Sequence, residues 1–180
     1  MDSIQKKISE KEIYNNTKKK ILVRTFRTSD WKEKEVPICS NAWSVYWTMV
    51  LVLDENNNIY YWKEYRDWPE VFVNNFSVWK HEEELSFEEN AAKELREELW
   101  ATTNNLNYLW ESVVSAYDTS ILKYYIAKNC SFWRQKLDDW ENFEIQKCTL
   151  QEFEQKIISW EINCPHTITC YTLAKLQNKI

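Results

Sequence analysis

A chain of 180 residues without one glycine lacks the usual means of turning sharply. Glycine enters positive φ at no steric cost, and tight hairpins and helix ends draw on it for that reason. At an average usage of about 7%, roughly 12 or 13 glycines belong in this length. The chain has 11 tryptophans instead. Their positions are telling. Trp31 follows Asp30 between two strand-like runs, ILVRTFRT and KEVPI, where Asp-Gly would be a strong hairpin signal. Trp68 stands between Asp67 and Pro69, and Trp140 lies in the acidic turn LDDWENFE. Trp100 follows the charged helical stretch KELREEL, and Trp160 follows TLQEFEQKII, both at helix C-caps. Trp43 and Trp47 mark the entry to the apolar run TMVLVL.

Taken literally, these are core or interface aromatics, and turn-placed tryptophans can form a contact surface. The sharper reading is that most or all of them are glycines in the native protein. Some bacterial lineages read UGA as glycine and others read it as tryptophan. A gene translated with the wrong one of these codes acquires this signature.

Length and an apolar content of 44% suit one globular domain with a sizeable core. A net charge of -5 disfavours a partner held by its phosphate backbone, so no nucleic-acid polymer is expected. No apolar run reaches the roughly 18 residues that span a membrane. The N-terminal stretch MDSIQKKISEKEIYNNTKKK lacks the apolar core of a secretory signal. Five cysteines without CxxC spacing read as reduced, mostly buried thiols of a cytoplasmic protein rather than a zinc site.

Residues 1–19 read as a polar tail and residues 20–180 as a single domain. ILVRTFRT and KEKEVPIC form a hairpin. TMVLVLD and NIYYWKEYR form two strands across the turn DENNN, and VFVNNFSV forms another. SFEENAAKELREEL is a helix with Ser86 as N-cap and Glu89 closing a capping box. LNYLWESVVSAYDTSILKYYIAK is a hairpin, FEIQKCTL a strand, and LQEFEQKII and TITCYTLAKLQ are helices. Strands and helices without regular alternation indicate an α+β fold.

On the central helix, Glu94, Glu97 and Glu98 share one face, beside a stripe of Ala91, Leu95 and Leu99. Like charges at that spacing repel by roughly 0.2–0.5 kcal/mol per pair. Either Lys93 and Arg96 offset this on a solvated face, or a hard divalent cation does.

WKHEEELSFEENAAKELREELWA, residues 79–101, resembles the Nudix box, G-x5-E-x7-R-E-U-x-E-E-x-G-U, where U is apolar. Trp79 and Trp100 fall on its two glycines, Lys93 on its arginine, and Glu94, Leu95, Glu97, Glu98 and Ala101 match outright. Leu85 departs from the first glutamate, which Glu84 is positioned to replace, and Lys is a poorer bidentate partner than the arginine it replaces. The resemblance covers most of the chain from about Ile21, and is strongest to the ADP-ribose and nucleotide-sugar branch. It implies a Nudix-type α/β/α sandwich with a mixed central sheet and an N-terminal β-hairpin.

That family hydrolyses a nucleoside diphosphate linked to another group, here ADP-ribose or a nucleotide sugar. The resemblance implies Mg²⁺, or Mn²⁺ in its place, held by Glu94, Glu97, Glu98 and the backbone carbonyl of Trp79. It implies Arg66 as a diphosphate contact; the same residue can also pair with a strand neighbour. Glu141 and Glu144 are candidates for general base or further ligand, set against a plain acidic turn. His81 and His166 read as surface residues. The N-terminal strands leave room for a homodimer. Two alternatives remain: a Nudix-fold module that binds a nucleotide without cleaving it, and a tryptophan-rich interaction protein.

Overall fold

The computed structural model describes residues 5–16, 18–28, 30–41, 45–66, 70–133 and 143–180. The chain gathers into two compact units, one from residues 1–47 and 112–122, the other from residues 48–111 and 123–180.

The first unit holds a three-stranded sheet of β1 (Gln5–Asn15), β2 (Lys19–Thr28) and β3 (Glu33–Asn41), in that order. The expected hairpin is β2 with β3. The expected polar tail is instead a strand, β1, antiparallel to β2. Lys, Glu and Ser have little intrinsic preference for strands. They hold this one by cross-strand pairing: Arg24 Nε lies 2.5 Å from Glu10 Oε2, Lys20 Nζ 3.8 Å from Glu12 Oε2, and Ser9 Oγ donates to Thr25 Oγ1 at 2.9 Å. Residues 112–122 join through Cys39, whose N–H donates to the Tyr117 carbonyl at 2.7 Å and whose carbonyl accepts from Thr119 at 3.1 Å.

The second unit is built on a sheet with the strand order β11-β5-β4-β10-β8. Its strands are β4 (Tyr46–Asp54), β5 (Ile59–Arg66), β8 (Ala101–Thr102), β10 (Ile121–Phe132) and β11 (Phe143–Cys148). β6 (Val71–Asn75) pairs with β5, β7 (Ser77–Lys80) with β4, and β9 (Asn105–Val113) with β10. VFVNNFSV is thus two strands, broken where the buried Phe76 donates its N–H to Thr167 Oγ1 at 3.1 Å.

Helices cover both faces of this sheet. Val50 and Val52 of β4 and Tyr125 and Ala127 of β10 form one core with Ala91 and Leu95 of α1 (Phe87–Glu98) and its C-cap, Leu99. On the other face, Phe153 of α2 (Leu150–Ile158) stacks on Phe76 at 5.3 Å. It meets Tyr61 at 5.7 Å and Tyr171 of α3 (Pro165–Leu176) at 5.2 Å. This is the expected α+β sandwich with a mixed sheet. The expected capping box is formed at Ser86–Glu89, and α2 carries a second at Thr149–Glu152. Among the described residues no helix is long and apolar enough to cross a membrane. The five cysteines are free thiols; burial pushes Cys130 up to about 12 and Cys148 up to about 11, so both are inert fillers.

Among the described residues, three tryptophans stand in the left-handed region: Trp31 at φ 64°, Trp100 at φ 45° and Trp160 at φ 64°. Asn57, Asn129 and Asn178 are there too, which asparagine tolerates, as is Glu70. Trp31 and Trp160 are each 79% exposed, so little burial offsets their strain. Trp62 and Trp79 differ: both lie in strands with buried side chains. Trp43, Trp68 and Trp140 lie outside the described residues.

The β4–β5 turn is organised by Asp54. One of its oxygens accepts from the backbone N–H groups of Asn56 and Asn58, both at 2.9 Å, and the other lies 2.8 Å from Lys147 Nζ. Burial works to raise the Asp54 carboxyl, but Lys147 and Asn58 outweigh it and bring it from 3.8 down to about 2.

Trp31→Gly and Trp160→Gly are each expected to stabilise the fold by about 1 kcal/mol, read from urea unfolding midpoints. A loss of stability in both would mean that the indoles contribute more than the backbone strain costs. For Asp54, a folded-state value below the unfolded one means stability that is present above pH 3.8 and lost as pH falls toward 2. Asp54→Asn should therefore cost about 2 kcal/mol at pH 7, and the gap to wild type should narrow below pH 4.

Candidate active site

The apolar stripe of α1 sets the rotation of the helix. With Ala91, Leu95 and Leu99 against β4 and β10, the three glutamates fall along the helix rim. Each meets a different environment. Glu94 is half-buried, and burial first, then the charge of Glu98, raises its carboxyl from 4.5 to about 7. Glu98 accepts a hydrogen bond from the Trp79 indole, Nε1 to Oε2, at 2.5 Å. Glu97 is exposed, with Oε2 3.9 Å from Lys93 Nζ.

Lys93 has a nearer partner. Its Nζ lies 2.5 Å from Glu82 Oε1, and this bond raises the lysine. Glu82, not Glu84, thus supplies the carboxylate that Lys93 meets; Glu84 is exposed. The fully buried Asn90 arranges this. Its Oδ1 accepts the Glu82 N–H at 2.9 Å and its Nδ2 donates to the Lys80 carbonyl at 3.2 Å, drawing the loop onto the helix. No local pattern singles out Glu82 among three successive glutamates. An asparagine inside a helical stretch was the available signal.

Arg66, the last residue of β5, lines a cleft of about 240 Å³ with Trp62, Glu64, Asn75, Ser77 and Glu98. Arg66 and Glu98, far apart in sequence, therefore line one cleft. Arg66 also has the strand neighbour that the sequence allowed: its Nη2 lies 2.8 Å from Glu64 Oε2. Sequence reasoning missed Glu64. Period-two spacing puts Trp62, Glu64 and Arg66 on one face of β5, which was the signal to follow. Ser77 Oγ is buried without a hydrogen-bond partner among the described residues.

Glu144 is not brought to this cleft. It is paired in register with Lys63, and strand alternation turns Lys63 away from Trp62, Glu64 and Arg66. Glu141 lies outside the described residues. Trp79, expected to offer its carbonyl, fills the core with its side chain, at 4% exposure. The histidines are not plain surface residues. His81 stacks on Phe87 at 3.8 Å, and His166 Nδ1 lies 3.0 Å from the Tyr124 hydroxyl.

Oxygen donors suit a hard divalent cation, and the mutual crowding of Glu94 and Glu98 is what such an ion would relieve. Among the described residues, no three His, Cys, Asp or Glu side chains gather closely enough to hold a metal as they stand. A larger groove of about 630 Å³ lies between α2 and β11, on the Tyr61 side of the sheet and away from α1. Its two lysines are already matched, Lys156 by Glu161 at 2.5 Å and Lys147 by Asp54.

No protein-family model matches the sequence, and no curated protein matches it. In three dimensions the chain is similar to a solved structure described as the crystal structure of an ADP compounds hydrolase. The TM-score is 0.83, with 97% of this chain and 94% of that chain covered at 15% sequence identity. At that identity the likeness is one of fold, and it extends over nearly the whole length of both chains.

Proposed function

We propose that this chain hydrolyses the diphosphate linkage of a nucleoside diphosphate joined to another group, with ADP-ribose or a nucleotide sugar as the leading substrates. The observation that carries the reading is the cleft that Arg66 and Glu98 line together. The solved structure of similar fold, described as acting on ADP compounds, supports the same substrate class.

Arg66 presents a guanidinium to diphosphate oxygens, for which its planar donors are well matched. Glu94, Glu97 and Glu98 are the residues that would hold Mg²⁺, or Mn²⁺ in its place. When bound, such an ion neutralises diphosphate oxygens and acidifies a water. Glu82 and Lys93 steady the helix rim beneath these carboxylates. A cytoplasmic setting and a homodimer through the N-terminal strands complete the proposal. Ile8, Ile13 and Tyr14, exposed on β1, are apolar surface that such a pairing would cover.

One observation favours the second reading, a module that binds a nucleotide without cleaving it. The Trp79 indole occupies Glu98 at 2.5 Å and so competes with any ion for that oxygen. This bears on the tryptophans themselves. We infer that the native chain carries glycine at the three left-handed positions and at both box positions, through UGA recoding. Glycine at position 79 would remove the competing indole.

A screen of ADP-ribose, sugar nucleotides and nucleoside triphosphates, with and without Mg²⁺, is expected to find metal-dependent turnover. Glu97→Gln and Glu98→Gln should each abolish it while circular dichroism and unfolding midpoints stay unchanged. Full turnover in both variants would overturn the site. Tandem mass spectrometry of the native peptide from Glu94 to Asn105 is expected to find glycine at position 100. Tryptophan there would shift the balance to the non-cleaving module.

A further inference from the structure

Resting on the reading that an anionic diphosphate enters this cleft, we propose that Glu64 is a positioning residue that holds the Arg66 guanidinium toward the incoming anion and off Glu98. Among the described residues, the cleft is lined by two carboxylates, Glu64 and Glu98, and one guanidinium. A guanidinium that lines a cleft with two carboxylates has two candidate partners. Here Arg66 Nη2 lies 2.8 Å from Glu64 Oε2. The two residues are two apart on β5, so strand alternation puts both side chains on the face that carries Trp62 toward α1.

The bond orients rather than stabilises. The side chains of Arg66 and Glu64 are 49% and 30% exposed, and pairs this wet contribute little to folding. A guanidinium has five N–H donors in a rigid fork. Fixing one on Glu64 sets the plane of the rest, as a bidentate contact with a phosphoryl group requires. Without Glu64, the carboxylate left lining the cleft among the described residues is Glu98, a proposed metal ligand. Pairing there would withdraw the arginine from the substrate and neutralise a carboxylate needed for the cation.

A positioning role and a bystander role predict opposite signs. A bystander carboxylate repels an anionic ligand, so removing it should tighten binding. A positioning carboxylate weakens binding when removed, because Arg66 is lost with it. The test is calorimetric titration of the full chain with ADP, for wild type, Glu64→Ala, Glu64→Gln, Arg66→Ala and the double variant Glu64→Ala/Arg66→Ala. Glu64→Ala is expected to weaken ADP binding about fivefold, equivalent to about 1 kcal/mol. Glu64→Gln keeps an accepting oxygen and should retain most of the affinity. In the Arg66→Ala background, Glu64→Ala should reverse sign and tighten binding, a coupling that a double-mutant cycle isolates. Unfolding midpoints should stay at the wild-type value throughout.

Tightening by Glu64→Ala in both backgrounds, additive effects, or no ADP binding by wild type overturns the role of Glu64. The readout is affinity, so it separates from the proposed reaction. ADP binding with the sign reversal but no turnover of any diphosphate upholds Glu64 and sinks the hydrolase. Turnover with same-sign shifts does the opposite.

Discussion

The seating of α1 on β4 and β10 is the constraint on which the site depends. Leu95 and Leu99 are almost fully buried there, each contributing on the order of 1.5–3 kcal/mol. Ala91 lets the helix approach closely. The Ser86–Glu89 box fixes where the helix begins, and the Leu99 N–H closes its last turn on the Leu95 carbonyl at 3.2 Å. Rotation and register are thereby set before any functional side chain is considered. Successive residues lie about 100° apart around the axis, so a slip of one residue would carry Glu94 and Glu98 off the rim. The repulsion among the glutamates, a few tenths of a kcal/mol per pair, is small against this packing.

Packing that secures the helix also concentrates negative charge where it is hard to satisfy. Glu97 leans toward Lys93 and Glu98 takes the Trp79 indole, while Glu94 bears the crowding and is raised to about 7. Lys93 cannot resolve this alone. Its ammonium is a point charge drawn to Glu82 at 2.5 Å, with Glu97 left at 3.9 Å. An arginine fork could reach both carboxylates at once. Across the cleft, Glu64 and Arg66 nearly cancel, so the rim stays the more negative side. A surface charged in this way, next to one guanidinium, suits a ligand that brings a cation with its own negative charge.

What was legible in the sequence follows from the range of the forces involved. α1 and its capping box could be read because period and cap chemistry are local. The hairpin of β2 and β3 and the turn at Asp54 could be read for the same reason. β1 could not, because its polar residues pair with partners as distant as Thr28 is from Gln5 and have no apolar period of their own. At the site, the glutamate face needed only helical spacing. The choice of Glu82 over Glu84 needed the fold of a loop around Asn90. The failure of Glu144 to join the cleft needed the register of β11 on β5, which no segment read alone contains.

The tryptophans divide along the same line between backbone and side chain. At 31, 100 and 160 the backbone lies where an L-residue with a bulky Cβ is strained, and the hydrogen bonds there are those of turns and a helix end. At 79 the backbone is an ordinary strand, and it is the side chain that matters, through its bond to Glu98. These two costs have no common structural origin, since a strained turn does not require an indole against a carboxylate elsewhere. They share only the residue type. Replacing tryptophan by glycine would relax the turns and release the carboxylate together. A core vacated at position 79 would then need the strand and α1 to close up, and an α1 face of small residues, Ala91 and Ala92, is the kind of surface on which such closure is possible.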